Sequence, residues 1–327
     1  MKIAVYYNNK DVRVEERPKP KIEDGEILVM AKASGICGTD VMEWYRIKKA
    51  PRVLGHEMAG VIVESKSDKY AVGQRVFVSH HVPCNECKYC KAGNHTACET
   101  LHTGNYEPGG FSEFVRVPKI NVLSGTYVLP ENVSYEEATM IEPLACVLRA
   151  QRIMNVSKEQ TVIVMGSGVS GLLNILVAKL RGANVIATDI NEYRLKKAKD
   201  CGADTVLNAG EKINTKAEHI VMCTGAMPAF DAAFKCADKK GIIMLFAIPK
   251  DNISIPNAEF WRNELTLISS YGAAPRDLKE SLELIKSEKI NVKNLITDRF
   301  SLDDIQKGFD TATAAKESLK VVIIPNA

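Results

Sequence analysis

Residues 1 to about 150 alternate short apolar runs with turns. The runs Glu26-Ile27-Leu28-Val29-Met30-Ala31, Gly60-Val61-Ile62-Val63-Glu64 and Arg75-Val76-Phe77-Val78 are of strand length, and Gly25, Gly73, Pro108 and Gly109-Gly110 punctuate them. Such runs bounded by Gly and Pro predict a mainly β domain, sheet or barrel-like. From about residue 151 the rhythm changes. Strand-like runs at Thr161–Met165, 184–188, 219–223 and 241–247 alternate with helical stretches. That alternation predicts a parallel sheet with helical crossovers, an α/β arrangement. After Gly272 come an amphipathic helix over 276–288, mixed structure and a final strand, Lys320–Ile324. No internal repeat, low-complexity segment or disordered tail is visible.

One apolar stretch, 162–178, is long enough to question. It carries three glycines, two serines and Asn174, and turns midway from a β-branched run into a helix-like one. It falls short of the roughly 20 apolar residues of a spanning helix, so no membrane segment is expected. The composition is that of a globular protein, 46% apolar and 25% charged. The net charge of +3 is mixed along the chain and argues for neither nucleic acid nor a membrane surface. Lys-rich stretches such as Arg194-Leu195-Lys196-Lys197 read as solvated helix faces. The N-terminal Met1-Lys2-Ile3-Ala4-Val5-Tyr6-Tyr7 is a strand pattern rather than a signal peptide. Nine cysteines then predict reduced thiols and metal ligands in a cytoplasmic protein.

Four of those cysteines, Cys84, Cys87, Cys90 and Cys98, stand in a C-x2-C-x2-C-x7-C pattern. Four thiolates so close in a polar loop fit a closed tetrahedral zinc site, which braces a loop and has no open position for chemistry. Core cysteines would not keep a three-residue period, and the spacing matches neither ferredoxin pattern. Cys146, Cys201, Cys223 and Cys236 lie in apolar or helical settings and read as packing residues.

The buried-strand pattern Val162–Met165 is followed by Gly166-Ser167-Gly168-Val169-Ser170-Gly171 and then an apolar helix over 172–180. A strand before and a helix after give GxGxxG its dinucleotide-binding context. The glycines let the backbone turn tightly and approach a pyrophosphate at the helix N-terminus. The next strand ends at Asp189, about 20 residues on, where a carboxylate can accept the adenosine ribose hydroxyls and repel a 2′-phosphate. NAD is therefore expected rather than NADP, a preference tempered by Arg194 nearby. Ile190, just past the second strand-like run, and Cys223, at the end of the third, join the nucleotide-site candidates.

The motif Gly55-His56-Glu57-Met58-Ala59-Gly60 sets an imidazole beside a carboxylate, with Cys37 upstream in Gly35-Ile36-Cys37-Gly38-Thr39-Asp40. Thiolate, imidazole and carboxylate are the three protein ligand types of zinc, although a His–Glu neighbour pair can equally be a satisfied core pair. Together with Gly110-Phe111-Ser112-Glu113-Phe114, Glu142-Pro143-Leu144, the four cysteines and the nucleotide loop, these motifs run in order along almost the whole chain. In this the chain resembles the zinc-dependent medium-chain dehydrogenase family, on its polyol (sorbitol-like) and threonine dehydrogenase side.

The resemblance implies a GroES-like catalytic domain from residues 1–150 and 273–327, with a structural zinc lobe over 84–98. A doubly wound Rossmann domain, 151–272, would be inserted between them, with the active site in a cleft between the two. It implies a catalytic zinc held by Cys37 and His56, with Glu57 or Glu142 as the third protein ligand. Asp40 would hold the other imidazole nitrogen, and Thr39 would bond the substrate hydroxyl. Phe246-Ala247-Ile248 and Ser270-Tyr271-Gly272 would line the nicotinamide end. The implied reaction is oxidation of a secondary alcohol or polyol to a ketone by hydride transfer to NAD, in a dimer or tetramer.

The sequence departs from this family twice. Many members place a histidine three residues after the Thr or Ser, as a proton carrier; here stands Met42, whose thioether cannot shuttle a proton. That leaves the cofactor ribose, Glu43 or water. The stretch between Asp40 and Gly55 is also short, and Trp44 and Tyr45 in it are expected to pack on the surface or to wall a pocket. His80 and His81 are equally ambiguous. Two other readings stay open: an L-threonine 3-dehydrogenase, for which no partner for the carboxylate and amine is evident near Trp44, and a non-catalytic NAD-binding protein.

Overall fold

The computed structural model describes residues 1–326. The chain forms two compact units, Met1–Ala145 with Gly272–Ala327, and Cys146–Tyr271. The first boundary falls inside the helix Ile141–Ile153, five residues before the expected one at 150.

The first unit is built around the strand Ile27–Gly35. It pairs antiparallel with Glu57–Ser65, which pairs in turn with Arg75–Ser79. On its other edge it pairs with Phe114–Val117 through its first half and with the last strand, Lys320–Ile324, through its end. The completed sheet has seven strands, and a separate three-stranded sheet joins Lys2–Asn8 to Asp11–Glu16 and Arg52–Val53. Ile27, Val29, Ala31, Met58, Ile62, Val76, Val78 and Val115 form one core. Tyr6, Phe111, Phe309, Val321 and Ile323 centre a second. Each fully buried aliphatic or aromatic side chain contributes roughly 1.5–3 kcal/mol.

Register brings the chemistry together at one end of this sheet. Gly35 faces Glu57 on one side and Val322 on the other, with Lys320 two residues before Val322. The central strand ends at Gly35, so Cys37 follows at once, and His56 immediately precedes its partner strand.

The second unit is a parallel sheet of six strands. Their spatial order is Thr205–Asn208, Asn184–Asp189, Thr161–Met165, Ala217–Met222, Ala237–Leu245, Thr266–Ser269. This is the doubly wound order, which reverses direction between Thr161–Met165 and Ala217–Met222. The doubtful apolar stretch resolves into a buried strand, the glycine turn and the helix Val169–Leu180. No helix among the described residues is long and apolar enough to cross a membrane.

Candidate active site and nucleotide turn

One donor atom from each of Cys37, His56 and Glu57 lies within 4.8 Å of the others. Glu142, at the start of Ile141–Ile153, falls outside that set. Its charge still reaches Lys320 and Tyr106. Gly55 sits at φ +90, where a Cβ would strike the Phe111 backbone, and its carbonyl accepts from Gly110 N (2.8 Å) and Tyr106 Oη (3.3 Å). The turn presenting His56 is therefore fixed from the Gly110 loop.

The fully buried Asp40 organises this cluster. It accepts from Cys37 N (3.1 Å) and from Arg46 Nη2 (3.2 Å), and its Oδ1 lies 3.4 Å from His56 Nδ1. Nδ1 is thereby engaged and Nε2 is left for a metal. Burial opposes ionisation of Asp40, but the His56 ring and Arg46 outweigh it and hold its pKa low. Burial likewise opposes a charge on His56, yet Asp40 and Cys37 hold its pKa well above the usual value. Thr39 Oγ1 donates to Cys37 Sγ (3.3 Å) and accepts from Arg46 Nη2 (2.9 Å).

Glu57 is wholly buried. Its Oε2 accepts from Lys320 Nζ at 2.5 Å, and Lys320 also donates to Ile36 O (3.2 Å). Burial works against the Lys320 charge, but Glu57 and Cys37 keep its pKa above the ordinary value. A Cβ on Gly35 would overlap the Glu57 carboxylate, so a residue without one is required there. Glu57 Oε1 is buried without a hydrogen-bond partner. A thiol, an imidazole nitrogen and a carboxylate oxygen this close, with one carboxylate oxygen left unpartnered, fit a zinc site. Lys320 could not be picked out beforehand, because a lone lysine in an apolar strand carries no motif.

Glu43 Oε1 accepts from Asn9 N (3.0 Å), so it is tied to the turn after the first strand. Trp44 is half-buried, with its ring 6.0 Å from that of the exposed Tyr45. The His80 ring lies 4.9 Å from His56 and 3.6 Å from His81. Burial, with the neighbouring cations, pushes the His80 pKa well down and that of His81 to about 3. Both rings stay neutral beside the cluster.

The four-cysteine lobe folds over the short helices Lys88–Lys91 and Glu99–Thr103. Sulfur separations are 3.5 Å for Cys84–Cys98, 3.6 Å for Cys87–Cys90 and 4.0 Å for Cys84–Cys90. Tetrahedral Zn–S bonds of about 2.3 Å require about 3.8 Å between sulfurs, so the cage is already of zinc size. Backbone N–H groups of Glu86 and Cys87 point at Cys84 Sγ, and that of Cys84 at Cys98 Sγ. Against the effect of burial, such bonds lower the Cys98 pKa to about 6.

In the second unit the nucleotide candidates line one edge of the sheet, at the carboxyl ends of successive strands. Gly166 follows Thr161–Met165, Ile190 follows Asn184–Asp189, and Cys223 follows Ala217–Met222. Phe246 and Ala247 follow Ala237–Leu245, and Ser270 and Tyr271 follow Thr266–Ser269. Gly166 (φ +93) abuts the Cys223 backbone at the switch point, and a Cβ on Gly171 would overlap Gly166 O. Around Gly168 a Cβ would meet nothing, the opening a dinucleotide turn leaves for a phosphate. Val169 and Ser170 begin the helix, with no side chain capping its N-terminus. Asp189 accepts from Ser167 N (2.7 Å) and Asn191 N (2.9 Å), while Arg194 Nη1 stands 4.0 Å from it.

Residues 23–127 match the alcohol dehydrogenase GroES-like domain, and residues 170–287 match the zinc-binding dehydrogenase domain. Sorbitol dehydrogenase of Bacillus subtilis (strain 168) is 31% identical, covering 100% of this chain and 98% of its own. Sorbitol dehydrogenase 2 of Saccharomyces cerevisiae is 32% identical over 96% of this chain and 95% of its own. Among solved structures, a short chain alcohol dehydrogenase from E. coli CFT073 complexed with NADH superposes with a TM-score of 0.90. It is 28% identical, with 99% of each chain covered.

Proposed function

The chain belongs to the zinc-dependent medium-chain polyol dehydrogenase family, and on that premise we propose that it interconverts a secondary alcohol, polyol or sugar-alcohol-like, and its ketone using NAD(H). The observation that carries the site is the convergence of Cys37, His56 and the Glu57 carboxylate, one oxygen of which is buried without a partner. In this reading Cys37, His56 and Glu57 hold a catalytic zinc, and Glu142 is a nearby carboxylate outside the ligand set. Cys84, Cys87, Cys90 and Cys98 hold a structural one. Gly166, Gly168, Val169, Ser170, Gly171, Asp189, Ile190 and Arg194 receive the adenosine and pyrophosphate of NAD. Cys223, Phe246, Ala247, Ser270 and Tyr271 border the rest of the cofactor.

Zinc, when bound, supplies a Lewis acid that makes an alcohol hydroxyl easier to deprotonate. NAD supplies the hydride acceptor. The chain's own residues do the remainder. Asp40 fixes the His56 ring. Lys320 neutralises Glu57 and holds its Oε2, which leaves Oε1 free of hydrogen bonds. Thr39 Oγ1 is the group that can accept the proton of a substrate hydroxyl while passing on its own. Onward transfer excludes Met42, which has no exchangeable proton, and Arg46, which does not deprotonate. Glu43 is bound to Asn9. That bond occupies one carboxylate oxygen only, so Glu43 and water are the groups left to carry the proton onward, and an unchanged pH–rate profile in Glu43→Gln would exclude Glu43.

The test is NADH formation by metal-replete protein with sorbitol, other polyols, threonine and short alcohols. Turnover of a secondary alcohol is expected; none with any of them, despite two bound zincs, would favour a non-catalytic NAD-binding protein. Zinc content separates the carboxylates: Glu57→Gln should lose one zinc per chain and Glu142→Gln none. Nine unbridged cysteines support a cytoplasmic location. A dimer or tetramer is proposed from family membership, to be checked by light scattering.

A further inference from the structure

Arg46 ends the short helix Glu43–Arg46, and its side chain is only 16% exposed. Nε donates to Thr39 O (2.9 Å), and Nη2 donates to Thr39 Oγ1 (2.9 Å) and Asp40 Oδ1 (3.2 Å). A guanidinium has five N–H donors in a rigid fork. Three are spent, and neither of the two on Nη1 hydrogen-bonds to any of the described residues. Asp40 has little charge to spare, since it also serves Cys37 N and His56. Arg52, exposed at the start of Arg52–Val53, has no ion-pair partner among the described residues. It lies close enough to Arg46 that their repulsion adds to burial in lowering its pKa, with Asp40 and Tyr45 opposing. The charges of both arginines reach His80 and His81, beside His56. The short stretch between Asp40 and Gly55 thus carries Arg46, Lys48, Lys49 and Arg52 against Glu43, which is turned away to Asn9.

We propose that Arg46, in a stretch that also carries Lys48, Lys49 and Arg52, forms an oxyanion-recognition site, and that the natural substrate is an alcohol bearing a carboxylate or a phosphate. This rests on the dehydrogenase reading above. Arg46 is held in place before any ligand arrives, so little side-chain freedom is lost when its free Nη1 edge meets an oxyanion. Guanidinium forks suit carboxylate and phosphate oxygens. A stretch with four cationic side chains and one carboxylate turned away is stabilised by an added anion, whereas a neutral polyol would leave the excess charge uncompensated. The anion would sit beside Thr39, and so next to the hydroxyl being oxidised. A hydroxy amino acid is one member of this class, because Arg46 can receive its carboxylate; the sequence had offered no partner for that group.

Three substrates on one carbon skeleton test this: erythritol, erythronate and erythritol 4-phosphate. For wild type, kcat/KM for one of the anions should exceed that for erythritol by about tenfold or more. The preferred anion identifies the group. Arg52→Gln, at an exposed position with no bond to lose, should cut that ratio about fivefold or more, and Arg46→Lys, which keeps the charge but loses the fork, should cut it too. Erythritol used as well as both anions, or a ratio unchanged in both variants, overturns the proposal. If no alcohol in any panel reduces NAD, the dehydrogenase reading fails separately, and calorimetric titration of inorganic phosphate decides this site. Saturable binding weakened in Arg52→Gln supports it; no binding, or equal binding in both proteins, overturns it.

Discussion

Glu57 and Lys320 are 263 residues apart in the chain and 2.5 Å apart in the fold, both buried. Removing one partner of a buried pair leaves the other charge uncompensated, which costs about 3–5 kcal/mol. Lys320→Met in metal-free protein should therefore show a loss of that size in urea unfolding. The double variant Glu57→Gln/Lys320→Met should be more stable than the sum of the single changes implies. Strict additivity would mean that the two charges do not interact. A second pair makes a pH prediction. Arg116 grips Glu26 through two 2.7 Å bonds, and those bonds hold the Glu26 pKa below its usual value. The folded state then binds that proton less readily than the unfolded chain does. The stabilisation is complete above the unfolded value of about 4.3 and is lost as the pH falls through the lower folded value. Glu26→Gln should cost about 1–2 kcal/mol at neutral pH, and the difference from wild type should vanish in acid. Equal losses at both pH values would assign the effect to packing. At this scale the sequence displayed the residues whose type and spacing are chemically rare, Cys37, His56 and the four lobe cysteines. It could not display Lys320, which arrives by strand register, or the direction of Glu43, which depends on a backbone N–H from another turn.

The glycine turn between Thr161–Met165 and Val169–Leu180 separates two functions of one motif. Gly166 is needed by the fold: at φ +93 with the Cys223 backbone beside it, an added Cβ is strained and crowded. Gly168 has ordinary φ and open space where a Cβ would point. Gly166→Ala should therefore lower stability by about 1–2 kcal/mol. Gly168→Ala should change stability by less than about 0.5 kcal/mol but weaken NADH binding about tenfold, because its methyl fills the phosphate cradle. Fluorescence titration and urea unfolding of both variants check this; unimpaired NADH binding by Gly168→Ala would place the phosphates elsewhere. The parallel strands were legible because burial on both faces gives continuous β-branched runs. Ala237–Leu245 begins earlier than its apolar part suggests, because Asp238, Lys239 and Lys240 interrupt the pattern while the backbone already pairs at Ala217. The order of the seven-stranded sheet was less legible. Antiparallel pairing of the last strand with Ile27–Gly35 is a long-range choice that no local pattern encodes.

The two units have cores with no residue in common. One centres on Tyr6, Phe111, Phe309 and the Ile27–Gly35 strand, the other on Ile163, Ile220, Phe230 and Ile243. The proposed ligand sites divide in the same way, since both candidate metal clusters lie within Met1–Ala145 and the glycine turn within Cys146–Tyr271. A ligand that binds only the folded form stabilises by about 2.7 kcal/mol at a hundred times its Kd. If each core unfolds as its own cooperative unit, zinc and NAD should act on different transitions. Calorimetry of the metal-replete protein should then show NAD raising one transition by roughly 5–15 °C. Chelation should lower the other, and Cys98→Ser, which breaks the four-sulfur cage, should lower that same transition without moving the one NAD raises. A single transition moved by both ligands would mean that the units unfold as one. The metal lobe would then support the stability of the nucleotide site as well as its own loop, and loss of zinc would weaken NAD binding in proportion.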